Sequence, residues 1–178
     1  MQFSDKASLR QQILSQRPQS SEGLFANLVR IAMEFEAKAI ASYAPLNTEP
    51  DVSDFNDWVL ATGRTLCLPR IIGAEIEFAI GQTEPGAFSI PEPVGDAIDP
   101  SAIDLIMVPA LAVDAQGNRL GKGKGYYDRA LTSISCPKFA VIFDSEYFEN
   151  LPHEDHDQAV DGAISPSAIN YFARPEIL

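Results

Sequence analysis

The sequence predicts an α/β fold, a layered α/β/α arrangement around a mostly parallel central sheet. Three observations predict it. Apolar runs of strand length alternate with segments of helical spacing along the whole chain, the pattern of strands joined through helices. The run Asp104-Leu105-Ile106-Met107-Val108-Pro109 is almost continuously apolar, as a parallel strand covered on both faces must be. Leu24, Leu28, Ile31, Ala32 and Phe35 recur at helical spacing and mark a helix with one apolar stripe to lay on a sheet. A length of 178 residues suits a single domain, residues 1–178, with a substantial core.

Taken in order, Ser4 caps a first helix that runs to about Arg17 and is stopped by Pro18. Leu9 and Ile13 mark its apolar side, while Lys6 and Arg10, four residues apart, share another face. Alone, that pair reads as an ordinary solvated basic face; it gains meaning if it points at an anion. Ser20 or Ser21 caps the second helix. Lys38–Tyr43 reads as a buried strand, ended by Pro45, and the loop after it carries Glu49. Ligands of open α/β sheets gather at the carboxyl ends of strands, which makes Glu49 a candidate contact. Asp51–Thr62 is a third helix with Val52, Phe55 and Val59 inward and Gly63 at its end. Thr65–Leu68 is a strand closed by Pro69-Arg70, and Glu75–Ile80 alternates as a half-exposed strand. Residues 81–100, rich in Gly and Pro, read as a long surface loop containing the stiff piece Ile90-Pro91-Glu92-Pro93. Residues 110–118 link the buried 104–109 strand to a glycine-rich stretch. A helix over Tyr127–Thr132, a core strand over Lys138–Asp144, a short helix or turn over Glu146–Asn150 and a last strand over Ala159–Ile164 complete the chain.

Composition excludes several function classes. A net charge of −12 disfavours nonspecific nucleic-acid or membrane association, so neither is expected as a partner. No apolar run approaches the roughly 18 residues of a membrane span. The segment Met1–Lys6 lacks the apolar core of a secretory signal, and Cys67 and Cys136 are the only cysteines, which fits buried thiols in a reducing cytoplasm. A small-molecule substrate and a monomer are expected.

Against that acidity stands Arg119-Leu120-Gly121-Lys122-Gly123-Lys124-Gly125-Tyr126-Tyr127-Asp128-Arg129, with four basic residues and one acid. Alternating glycines let a backbone present successive N–H groups to an anion, and the lysines add point charge. The pattern points to phosphate, with a plain solvated loop as the alternative. It is not a P-loop: five residues after Gly117 stands Lys122, and no Ser or Thr follows the lysines. It is not the dinucleotide fingerprint either, because Tyr126 occupies the third glycine position. Further on, His153-Glu154-Asp155-His156-Asp157 holds possible metal ligands. Its carboxylates suit Mg²⁺ shared with phosphates better than a structural zinc, and a polar turn is the alternative.

From Val108-Pro109 through Gly117-Asn118-Arg119 to Tyr126-Tyr127-Asp128-Arg129 the chain resembles the 5-formyltetrahydrofolate cyclo-ligase family, whose block reads V-P-x-x-x-F-D-x-x-G-x-R-L-G-R-G-x-G-Y-Y-D-R. The likeness extends through most of the chain: Lys6 and Arg10 match the family's opening K-x-x-x-R, Glu49 its Glu after the first strand, Pro69-Arg70 its P-R, Glu92-Pro93 its E-P, and His156–Asp161 its closing h-D-x-x-V-D. Lys122 stands where the family usually has Arg, which keeps the charge but loses the planar fork. Val113 replaces an aromatic and Ser165 a common Thr.

The resemblance implies cyclisation of 5-formyltetrahydrofolate to 5,10-methenyltetrahydrofolate, dependent on ATP and Mg²⁺, through a phosphorylated formyl group. Lys6, Arg10, Arg119, Lys122 and Lys124, with the backbone of Leu120, Gly121, Gly123, Gly125, Tyr126 and Tyr127, would hold the triphosphate. Lys124 and Tyr126 would act at the reacting centre, Tyr126 beside the formyl group. Glu49 and Ala44 would face the pterin, and Asp128 and Asp157 would hold the metal. A folate- or nucleotide-binding module without turnover, and a phosphotransferase on another small substrate, stay open as alternatives.

Overall fold

The computed structural model describes residues 5–18 and 20–172. Its first helix, α1 (Lys6–Gln16), is capped by Asp5, whose carboxylate accepts the Ser8 N–H; the expected cap, Ser4, lies outside the described residues. Helix α2 (Leu24–Glu34) starts later than the two serines imply. Its N-terminal flank is Gly23, at φ 93°, while Ser20 and Ser21 turn their hydroxyls to the Glu22 and Asp51 N–H groups. Phe35 has left the helix and is 38% exposed, edge-on to Phe139 rather than inward. Strand β1 (Ala39–Ala41), helix α3 (Ser53–Ala61) and strand β2 (Thr65–Ile72) follow. β2 runs through Pro69-Arg70 instead of ending there. Its pairing to β1 stops at Cys67, so the missing proline N–H breaks no bond to that neighbour, and the strand continues in a hairpin with β3 (Glu75–Ala79).

The 81–100 segment is more ordered than expected. β4 (Thr83–Pro85) and β5 (Pro91–Pro93) form a small antiparallel hairpin around a turn at residues 87–89. After β6 (Leu105–Pro109), the link to the glycine stretch folds into β7 (Ala112–Asp114) and β8 (Arg119–Leu120), which make a second small sheet with β10 (Tyr147–Phe148). α4 (Tyr126–Leu131), β9 (Lys138–Val141), β11 (Gly162–Ile164) and an unexpected edge strand, β12 (Ile169–Tyr171), complete the fold.

The central sheet has the order β12-β11-β9-β6-β1-β2-β3, parallel except at its two antiparallel edges. The period of two along β6 builds the layers. Leu105 and Met107 pack with Leu24, Leu28 and Ile31 of α2 and Phe55 and Val59 of α3. Ile106 and Val108 pack with Leu131 and Ile134 on the opposite face, beside Tyr127 of α4. Leu9 and Ile13 of α1 pack apart, on Ala112 and Leu120 of the small sheet and on Leu111 just before it. This contact carries the basic face of α1 to the glycine stretch. Among the described residues no helix is long and apolar enough to cross a membrane.

Candidate active site

A cleft of about 510 Å³ opens at the carboxyl ends of β1 and β6, where the parallel topology gathers loops. The residues expected to bind substrate, nucleotide and metal line it: Lys6, Arg10, Ala44, Glu49, residues 119–128 and Asp157; His153 and Asp155 of the ligand cluster do not. Arg129, counted among the basic residues of the stretch, does not. It lies over the Tyr126 ring and bonds the Ala74 and Lys124 carbonyls, bracing the loop from outside.

The glycine loop leaves β8 and enters α4 through two left-handed residues, Gly123 at φ 95° and Gly125 at φ 71°. Gly123 is needed twice over, since a Cβ there would also meet the Arg10 guanidinium at 3.3 Å. Arg10 crosses from α1 and donates through Nε to the Gly121 carbonyl at 2.7 Å. One turn earlier on the same face, Lys6 Nζ donates to Asp157 Oδ2 at 2.5 Å and Glu154 Oε2 at 3.2 Å. Asp157 also accepts the Glu154 N–H at 2.8 Å. Burial pushes the Asp157 carboxyl up, but the bonds from Lys6 and Glu154 outweigh it and hold the group below the usual carboxylate range. Burial likewise pulls the Lys6 ammonium down, and its two carboxylate partners leave it raised.

Across the cleft, Glu49 Oε2 accepts the Leu46 N–H at 2.9 Å and Oε1 pairs with Lys122 Nζ at 2.6 Å. On the floor, Arg119 donates to Asp128 Oδ1 at 2.9 Å, and Asp128 also takes the Gln158 N–H at 3.3 Å. Five cations (Lys6, Arg10, Arg119, Lys122, Lys124) thus face five carboxylates (Glu49, Glu92, Asp128, Glu154, Asp157) in a chain of net charge −12. Lys124 sits over the Phe88 ring, its Nζ 3.5 Å from the centroid. Phe88, at φ 56°, and Ser89, at φ 58°, form the strained tip of the β4–β5 hairpin. Ile71, Ile76, Ile90 and Pro109 add apolar surface to the same cleft.

Two buried polar atoms here lack protein partners: Arg119 Nε and the Tyr127 hydroxyl. Burial, then the Glu49 carboxylate, push the Tyr127 hydroxyl well above its ordinary range, so it stays a neutral donor at any physiological pH. Such orphans are expensive unless a ligand satisfies them. Among the described residues the three ligand-type side chains that converge within 4.8 Å are Glu154, His156 and Asp157; Asp128 stands outside that group. Hard carboxylate oxygens beside a phosphate-type loop fit Mg²⁺ chemistry.

Several lining residues escaped the sequence. Phe88 is a single aromatic in a Gly/Pro-rich segment and carried no signal. Glu92 stood in the E-P pair without a role; Glu154 and His156, by contrast, belong to the cluster the sequence offers as possible metal ligands, though no spacing reveals which of its members converge.

Comparison with known proteins identifies the family. Residues 4–166 match the 5-formyltetrahydrofolate cyclo-ligase family. The 5-formyltetrahydrofolate cyclo-ligase of Mycolicibacterium smegmatis is 31% identical over 148 residues, covering 75% of this chain and 76% of that one. The solved structure of Aquifex aeolicus 5,10-methenyltetrahydrofolate synthetase superposes with a TM-score of 0.83 at 31% identity, over 97% of this chain and 95% of that one. The Mycoplasma pneumoniae synthetase superposes with a TM-score of 0.73 at 25% identity, over 90% and 98%. The chain therefore belongs to the 5-formyltetrahydrofolate cyclo-ligase family.

Proposed function

We propose that the protein closes 5-formyltetrahydrofolate to 5,10-methenyltetrahydrofolate with ATP and Mg²⁺, releasing ADP and phosphate, and acts as a cytoplasmic monomer. The observation that carries this is the convergence of the α1 face, the glycine loop, Glu49 and Asp157 on one cleft whose lining combines cations, carboxylates and apolar side chains. The apolar lining suits a pterin and its aromatic tail, and the cations suit a triphosphate.

Phosphoryl transfer asks a protein mainly for positioning and charge neutralisation. Lys6, Arg10, Lys122, Lys124 and the N–H groups of the loop hold the phosphates, and Arg119 supports them from the floor. Asp157, with Glu154 beside it, and Asp128 would hold the metal, which would supply positive charge to the phosphates. Glu49 and the Ala44 backbone orient the pterin. Tyr126 directs the formyl oxygen at the γ-phosphorus. That oxygen forms a P–O bond as the bond to ADP breaks. N10 then adds to the activated carbon and loses its proton, and phosphate leaves with the former formyl oxygen, taking up that proton directly or through water.

The substitutions Lys124→Ala and Tyr126→Ala are expected to abolish methenyl product, followed by its near-ultraviolet absorbance, with folding intact. Wild-type protein that never generates that absorbance with ATP, Mg²⁺ and 5-formyltetrahydrofolate overturns the proposal. Competition by 5-formyltetrahydrofolate against any other phosphoryl acceptor separates it from an unrelated kinase.

A further inference from the structure

One buried charge cluster has no part in the chemistry above. Arg17 ends α1, and its side chain and that of Glu146 are each 2% exposed. The pair is two-pronged: Nε donates to Oε1 at 2.6 Å and Nη2 to Oε2 at 3.1 Å. The same guanidinium donates through Nη1 to the Thr48 carbonyl at 2.7 Å and through Nη2 to the Ala110 carbonyl at 2.5 Å. Glu146 is saturated in turn, because Oε2 also takes the Phe143 N–H at 2.9 Å.

A buried ion pair is a weak source of stability compared with apolar residues of the same volume, so its presence asks for another reason. The two carbonyls supply one. Thr48 immediately precedes Glu49. Ala110 immediately precedes Leu111, whose N–H bonds the Leu120 carbonyl at 2.8 Å, directly before Gly121. Arg17 itself closes the helix that carries Lys6 and Arg10. Three segments of the cleft therefore meet at one guanidinium.

We infer that Arg17, held by Glu146, is a positioning residue that fixes the Glu49 loop and the base of the glycine loop relative to α1. This rests on the proposed function in assigning the two walls to folate and nucleotide. The planar fork makes four bonds from three separate nitrogens, a spread that the single ammonium of a lysine, with three donors on one atom, does not reproduce.

The test compares wild type with Glu146→Gln, the double variant Arg17→Met/Glu146→Met, and Arg17→Lys. Glu146→Gln keeps the carbonyl bonds but strips the charge partner. It should lower Tm by roughly 5–10 °C and leave kcat/KM within about threefold at a temperature where it is folded. The double variant removes both buried charges and the carbonyl bonds. It should keep Tm within about 3 °C of wild type yet lose roughly 10–100-fold in kcat/KM, chiefly through KM for both substrates. Backbone amide exchange at Leu46 and Leu111, which needs no ligand, should accelerate about tenfold or more in the double variant and not in Glu146→Gln. Activity that simply follows Tm across the variants, or unchanged exchange at both amides, overturns the inference. If the double variant does not fold, Arg17→Lys decides by the same KM and exchange readouts. If wild type makes no methenyl product, the functional proposal fails and the exchange experiment still settles the positioning role.

Discussion

Replacing Gly123 by alanine tests whether the loop is shaped for its ligand or is merely flexible. The backbone there has φ 95°, which an L-residue occupies at a cost of about 1–3 kcal/mol. The new Cβ would lie 3.3 Å from Arg10 Cζ and 3.4 Å from Nη1, so the guanidinium must give by a few tenths of an ångström. That movement stretches the bond from Arg10 Nε to the Gly121 carbonyl, now 2.7 Å. The expected stability loss is about 2–3 kcal/mol, or roughly 4–12 °C in Tm for a domain of this size. A displaced charged hydrogen bond is worth about 1.5–3 kcal/mol, hence roughly 10–100-fold in kcat/KM for ATP. Gly63→Ala is the control. Its φ is 73°, and a Cβ there meets nothing within 4 Å. It should cost only about 1–2 kcal/mol and no activity. Thermal unfolding followed by circular dichroism and steady-state assays at fixed Mg²⁺ read both quantities. Wild-type kcat/KM for ATP in Gly123→Ala, or the same loss of activity in Gly63→Ala, would refute the assignment of the loop to phosphate.

Other outcomes follow from the same geometry. Glu49→Gln loses a carboxylate bonded to Lys122 and to the Leu46 N–H; because Lys122 is 41% exposed, screening keeps the stability cost below about 1 kcal/mol, while 5-formyltetrahydrofolate binding measured by calorimetry should weaken at least about tenfold. Asp157→Asn tests the Lys6 pair through pH. A depressed carboxyl pKa stabilises above its unfolded value and is lost as pH falls through the folded one, whereas a raised ammonium pKa stabilises below its unfolded value and is lost as pH rises past the folded one. The difference in unfolding free energy between wild type and variant should therefore be largest between about pH 5 and 9, shrinking below about 4 and above about 10.5. Burial pushes the Cys67 and Cys136 thiols up to about 11, so at pH 8 only about one molecule in a thousand carries either thiolate. Ellman's reagent should label the fully buried Cys67 only at the rate of unfolding and the half-buried Cys136 faster, and rapid native labelling of Cys67 contradicts the packing.

Much of the layered fold was readable because its signals are long and periodic. Asp104–Pro109 has no polar residue inside it and proves to be buried between two parallel neighbours. The α2 stripe meets the odd-numbered side chains of β6 as its spacing requires. The glycine stretch was readable from charge contrast. What escaped was short or long-range. β4 and β5 have three residues each and three of the six pairing positions are prolines, so neither an alternation nor a propensity could mark them. β12 is a three-residue edge strand whose partner is set by the β11 register. Asp5 and Ser4 are equivalent caps on paper, and only the geometry around Ser8 distinguishes them. Arg17 and Glu146 are separated by most of the chain, and no local pattern ties an arginine before Pro18 to a glutamate after β9. The Phe88 side chain owes its place over Lys124 to the hairpin's left-handed tip, which a Gly/Pro-rich composition does not specify.

The most direct single measurement is the stoichiometry of turnover: purified protein with Mg²⁺, ATP and 5-formyltetrahydrofolate, recording methenyl absorbance and ADP release together. One ADP per methenyl product, with neither formed when the folate, the nucleotide or the metal is left out, is the predicted result. Methenyl product without ADP, or ADP released at the same rate in the absence of the folate, would contradict a cleft that joins nucleotide and pterin in one reaction.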